Sequence, residues 1–163
     1  NRVSYKKIAW IPAVTETIHN IEEAVFLQGW AASSGPWNWH VTAFQFRLAV
    51  IAVTLLIYMV IYYYTRNGNK FSTHLFCGTF VIILVNVFVP HMAASVLTAS
   101  YSPGVLSGII LNVPITFYLL RRGLREQLFT YSMLARGTAV TALVMLLLIA
   151  LSFTAGGFFE QSI

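Results

Sequence analysis

Four apolar runs of nearly constant length limit what this chain can fold into. They cover about residues 41–64, 74–99, 103–120 and 137–158, and the first reads "VTAFQFRLAVIAVTLLIYMVIYYY". Each is close to the ~20 residues a helix needs to cross about 30 Å of hydrocarbon. The connections are short. "TRNGNKFS" carries Asn-Gly turn chemistry, and "SYSPG" is a tight turn with proline at a helix start. "RRGLREQLFTYSMLAR" is longer and is expected to lie at the membrane interface. Only 9% of the 163 residues are charged, against about 25% in soluble domains, and the mean hydropathy is +0.73. The reading is an all-α, polytopic membrane helix bundle forming a single integral membrane domain over residues 1–163.

A fifth segment, about residues 8–31, is less plain. It contains "ETIHNIEEAVFLQGW", which holds three of the five acidic residues of the chain. Ionised groups at mid-span cost about 2.5–3.5 kcal/mol each on the insertion scale. Charge placement gives an independent criterion. If the segment spans, Arg2, Lys6, Lys7, Arg66, Lys70, Arg121, Arg122, Arg125 and Arg136 share one side, and only Arg47 lies on the other. If it does not, the split is six to four. The nine-to-one arrangement obeys the positive-inside rule. It predicts five transmembrane helices in the cell membrane, with the N-terminus cytoplasmic and the C-terminus outside. Trp10, Trp30, Trp37 and Trp39 then sit near span ends, and Tyr58 and Tyr62–Tyr64 read as an aromatic belt. The basic pI near 9.6 reflects these topology clusters, so nucleic acid is not an expected partner. The single cysteine, Cys77, excludes an intramolecular disulfide and reads as a core thiol.

On a helix at 100° per residue, Glu16, His19, Asn20, Glu22 and Glu23 share an arc of about 160°. Ala13, Val14, Ile18, Ile21, Ala24 and Val25 fill the opposite arc. A polar arc at membrane depth must face the bundle interior. Counting ~1.5 Å per residue, Glu22 and Glu23 lie roughly 21 Å from the cytoplasmic side, Asn86 roughly 18 Å and His91 roughly 25 Å, with Asn112 a little shallower. Pro90 and Pro114 each remove a helical hydrogen bond near these polar groups. Asn86 and His91 are five apart, about 140° on a straight helix, and a kink at Pro90 would bring them together.

"HNIEE" followed by Asn86 and His91, and then by Tyr101, Pro103 and Gly104 of "YSPG", resembles the HXXEE family of small bacterial and archaeal integral membrane proteins. The resemblance covers about residues 10–121 and implies a buried polar site in a membrane protein, without supplying a reaction. In the family pattern the Asn and His stand four apart; here they stand five apart, with Pro90 between.

The candidate catalytic residues are His19, Glu22, Glu23, His91 and Asn86. His19, Glu22, Glu23 and His91 are also candidate metal ligands, because imidazole and carboxylate suit zinc, iron or manganese. Without a metal, adjacent carboxylates in low dielectric suit proton transfer, and Arg47 or a shared proton would balance their charge. Glu16, close to the cytoplasmic interface, is expected to be a solvated or helix-N-terminal acid and not a site residue. Asn20 and Asn112 read equally well as helix–helix hydrogen-bond groups or as site residues. His40 and His74 flank spans at the interface. Tyr101 belongs to a turn from which it could cap a cavity. Two function classes follow. One is a membrane-embedded enzyme acting on a lipid-like or membrane-accessible substrate. The other is a proton-linked small transporter or an accessory subunit, working as a homo-oligomer or with a partner membrane protein.

Overall fold

The structure, a computed structural model, describes residues 4–33 and 41–162. Arg2, Trp37, Trp39 and His40 lie outside the described residues. The described residues form helices and contain no strand. A single turn, α1 (Tyr5–Ile8), leads into α2 (Ile11–Ser33). Helix α3 (Ala43–Asn67) starts with a reciprocal cap between Thr42 and Gln45 and ends at Gly68 in the left-handed conformation. These are the start and stop devices that satisfy orphaned N–H and C=O groups at helix ends. Helix α4 (Lys70–Asn86), capped by Asn69, passes through a π-helical stretch (Val87–Met92) into α5 (Ala93–Thr98). After a turn, α6 (Val105–Ser107), a second π-helical stretch (Gly108–Asn112) and α7 (Val113–Arg125) make one continuous rod. Helix α8 (Tyr131–Gln161) closes the chain.

Four of these rods are long and apolar enough to cross a membrane: Ala43–Asn67, Lys70–Thr98, Val105–Arg125 and Tyr131–Gln161. Helix α2 has comparable length but is not among them. Glu16, Glu22 and Glu23 interrupt its apolar sequence.

Residues 121–136 do not form the long interfacial connection expected. Helix α7 continues to Arg125 and α8 begins at Tyr131. The turn between them folds back because Gln127 takes a left-handed backbone and Leu128 N–H reaches the Gly123 carbonyl. Phe129 then lies on Gly123, where a Cβ would sit 2.2 Å from its ring.

On α2 burial is inverted relative to an amphipathic helix of a soluble bundle. Helix α2 buries Glu16, His19, Asn20 and Glu23 while Val14, Ile18, Ile21 and Val25 are exposed. Ala13, placed by helical phase on the apolar arc, is also buried, because α1 and the start of α2 pack into the core beside Tyr5. That core centres on Tyr5, Tyr64, Phe76 and Phe80. Tyr64 stacks on Phe76 with ring centroids 3.9 Å apart. It is therefore a core residue and not part of an aromatic belt, and Tyr58 bonds the Thr17 hydroxyl at 3.2 Å. Cys77 is fully buried.

Tyr5 donates to the Leu119 carbonyl at 3.0 Å, tying α1 to α7. Tyr5→Phe keeps the packing and loses this bond, so it is expected to cost about 1 kcal/mol, seen as a small drop in thermal unfolding temperature in detergent.

The tightest helix crossing is α4 on α8, where Gly78 faces Gly137 backbone to backbone. Absence of side chains lets the two axes approach, as small residues do between membrane helices.

Candidate metal centre

Three elements bring the site together. Helix α2 presents His19 and Glu23 one turn apart, so both project from one face. The chain breaks helical geometry at Val89 (φ −137°, ψ 109°), because a residue before proline is pushed towards extended backbone. With helical geometry broken between Asn86 and His91, Asn86 Nδ2 lies 3.3 Å from His91 Nε2. The third element is the turn after α5. Gly104 has φ +90°, and a Cβ there would sit 2.8 Å from the His91 ring and 2.9 Å from the His19 ring. Both imidazoles therefore rest against bare backbone. Each π-helical stretch borders the site, a placement common for such interruptions.

The ligand atoms of His19, Glu23 and His91 lie within 4.8 Å of one another, and all three residues are buried. Glu23 Oε1 is 2.5 Å from His91 Nε2 and 3.4 Å from His19 Nε2. The Asn86 amide nitrogen is 3.1 Å from His19 Nε2. The rings meet edge to face at 4.9 Å. His19 Nδ1 is 3.2 Å from Ser107 Oγ. When Nδ1–H donates to that hydroxyl, Nε2 keeps its lone pair free for a cation at the point where the three groups converge. Outer partners of this kind fix the tautomer of ligating histidines.

Glu22 is turned away from that point and is not among the converging ligand atoms. Its carboxylate accepts from the Tyr101 hydroxyl, from Gly104 N–H at 2.9 Å and from Ser107 N–H at 3.2 Å. It thus clamps the turn that supports both histidines. Burial and the adjacent Glu22 carboxylate push the Tyr101 phenol up to about 12, so it stays a donor across the physiological range.

Glu16 is buried and not solvated. Asn112 Nδ2 donates to it at 2.6 Å, because the second π-helical stretch turns Asn112 towards α2. Asn20 bonds the Thr54 hydroxyl at 2.7 Å. Arg47 does not neutralise a glutamate; its Nε donates to the Ala24 carbonyl at 3.1 Å at the surface. The His74 ring lies on the Lys70 carbonyl, away from the site. Ser107 was not singled out from sequence. Its three-residue spacing after Gly104, on the first turn of the returning helix, is the signal that could have found it.

A buried cluster of two imidazoles and a carboxylate at the meeting of three polar helix segments defines a helical protein with an HxxEE-type internal site. The chain belongs to the HXXEE family, described as proteins of unknown function with an HXXEE motif, whose profile matches residues 10–119. It is similar to the uncharacterized protein YrkK of Bacillus subtilis (strain 168), with 31% identity over 141 residues, 86% of this chain and 89% of that protein. No solved structure matches.

Proposed function

We propose that the chain is a five-span integral membrane protein of the cell membrane, N-terminus cytoplasmic, and a metal-dependent enzyme acting on a lipid-like substrate. The observation that carries the metal is the convergence of His19 Nε2, His91 Nε2 and Glu23 Oε1. Two imidazole nitrogens and a carboxylate oxygen that close need positive charge, either as protons on the imidazoles or as a cation between the three atoms. Among the described residues, the ion pairs of Glu23 are with these two histidines and not with a lysine or arginine. A divalent zinc, iron or manganese ion would supply that charge, held by His19, Glu23 and His91. Two histidines and a carboxylate leave coordination positions open, as catalytic sites do. Such an ion supplies Lewis-acid polarisation of a carbonyl or phosphoryl oxygen. Asn86, which lies beside both imidazoles, would orient the reacting group, and Glu22, through Ser107 and Gly104, would hold the histidines in position.

Protein purified without chelator or nickel is expected to carry stoichiometric divalent metal. Added metal should stabilise it by about 2.7 kcal/mol at a hundredfold excess over the dissociation constant. His19→Ala and Glu23→Gln should lose most of that gain, while Glu22→Gln should retain the metal stoichiometry. Absence of metal together with no thermal response to zinc, iron or manganese would reject the proposal and leave a shared proton as the neutralising charge.

A proton-linked transporter or accessory subunit is the second reading. The Glu16–Asn112 pair favours it, because it extends the buried polar line along α2 beyond His19. Here a stable homo-oligomer or a constant partner membrane protein would accompany the chain on purification.

A further inference from the structure

A cavity of about 480 Å³ lies between α2, α3, α4 and α8. Its volume falls in the range of small-molecule sites, roughly 300–1,000 Å³. Along α2 its lining runs from Glu16 to Leu27, and along α8 from Ala142 to Phe153. Each stretch is about 16 Å at 1.5 Å per residue, so the cavity is an elongated slot lying parallel to the helices.

The walls of this slot differ in chemistry. Glu23, Asn86 and His91 lie on it together, towards the end nearer Leu27. The remainder is built by groups such as Ala49, Val53, Ile57, Ile83, Met145 and Ile149. Glu16 and Asn20 also reach it, with Glu16 Oε2 accepting from Asn112 and Asn20 Nδ2 donating to Thr54. Three polar groups therefore converge towards one end, and most of the rest of the lining is hydrocarbon.

The slot also has a side opening. Val85, Val89 and Leu146 line it and are at the same time 47%, 64% and 66% exposed. They mark a cleft between the distorted end of α4 and the middle of α8. The origin of the cleft can be traced. Gly78 and Gly137 hold the two helices in backbone contact about two turns from their starts, and the break at Val89 redirects the chain beyond it.

We infer that this slot binds one extended aliphatic chain, which enters sideways through the cleft at Val85, Val89 and Leu146 and presents its polar end to Glu23, Asn86 and His91. The inference rests on the membrane-embedded reading above and names the substrate class for that site: a single-chain amphiphile such as a fatty acid or its derivative. A slot whose lining is mostly apolar, with Glu23, Asn86 and His91 converging towards one end, suits such a molecule. Burying each methylene contributes about 0.8 kcal/mol, so affinity should rise with chain length until the slot is filled. Two-chain lipids would leave one chain outside.

The test uses the full chain in detergent or nanodiscs and cis-parinaric acid, a fluorescent single-chain acid. Competition by octanoic, lauric, palmitic and stearic acids is expected to pass through an optimum length, with phosphatidylcholine competing poorly. Val53→Trp places an indole across the slot. It should weaken binding of the optimal acid by about tenfold or more and shift the optimum to shorter chains, with metal content unchanged. Ile149→Trp obstructs the opposite wall and is expected to act likewise, so a single misfolded variant does not decide the outcome. Competition that follows hydrophobicity without an optimum, or unaltered binding by both folded variants, would overturn the inference. The metal proposal stands or falls separately. Saturable chain binding by protein that carries no metal and gains no thermal stability from added metal would keep the slot and reject the metal. Stoichiometric metal without saturable binding would do the reverse.

Discussion

Gly137→Val is expected to prevent stable assembly of the bundle. A Cβ at Gly137 would lie 2.1 Å from the His74 carbonyl oxygen, and one at Gly78 would lie 2.2 Å from the Gly137 carbonyl carbon. Both obstacles are backbone atoms in the interiors of helices, so no side-chain rotation relieves them. Overpacking ordinarily costs about 1–3 kcal/mol, more where the surroundings cannot move. Here relief requires α4 and α8 to separate along their whole crossing, and the expected loss lies at or above the upper end of that range. The measurement is the fraction of monodisperse protein after detergent extraction, with thermal unfolding of whatever remains. Gly29→Ala is the control. Nothing lies within 4 Å of its Cβ position, so it should be neutral or stabilising by about 0.5–1 kcal/mol in a helix interior. Equal behaviour of the two variants would show that the crossing does not hold the fold.

Gly104→Ala should spare the bundle and damage the site. The backbone at φ +90° is unfavourable for any residue with a Cβ, at about 1–2 kcal/mol. The added methyl also meets both the His19 and the His91 rings inside 3 Å. Retreat of either ring opens the Nε2–Oε1 geometry on which metal affinity depends. Supporting residues of a metal site typically contribute 10–100-fold in affinity, and a loss of that order is expected in a zinc titration of the variant. Far-ultraviolet circular dichroism should stay near wild type, because Gly104 lies in a turn. A variant that binds metal as tightly as wild type would mean that the turn does not position the histidines.

Much of the helical architecture was legible in the chain. The four long apolar runs became the four rods of membrane length, and His19 and Glu23 share a face because four residues are nearly one helical turn. Helix ends were less legible. Lys70, Arg121 and Arg125 look like loop residues by charge, but charged side chains at helix termini reach the interface without ending the helix. Glu16 was misjudged for a related reason. Depth along a helix can be counted from sequence, whereas its exposure depended on Asn112, from a helix nearly a hundred residues later.

By itself the sequence determined which segments become helices and which residue types lie together on α2, because apolar run length and the 3.6-residue period are local properties. It also supplied the family motif. Tertiary structure decided which of those residues meet. Asn86 and His91 come together through a break at Val89, and Glu22 and Glu23, neighbours in sequence, diverge. Glu23 faces two imidazoles, while Glu22 reaches the N–H groups of Gly104 and Ser107. Adjacent residues on a helix point about 100° apart, so each sees a different partner helix. That division of roles depends on how the helices are placed around α2, which no local pattern in the chain encodes.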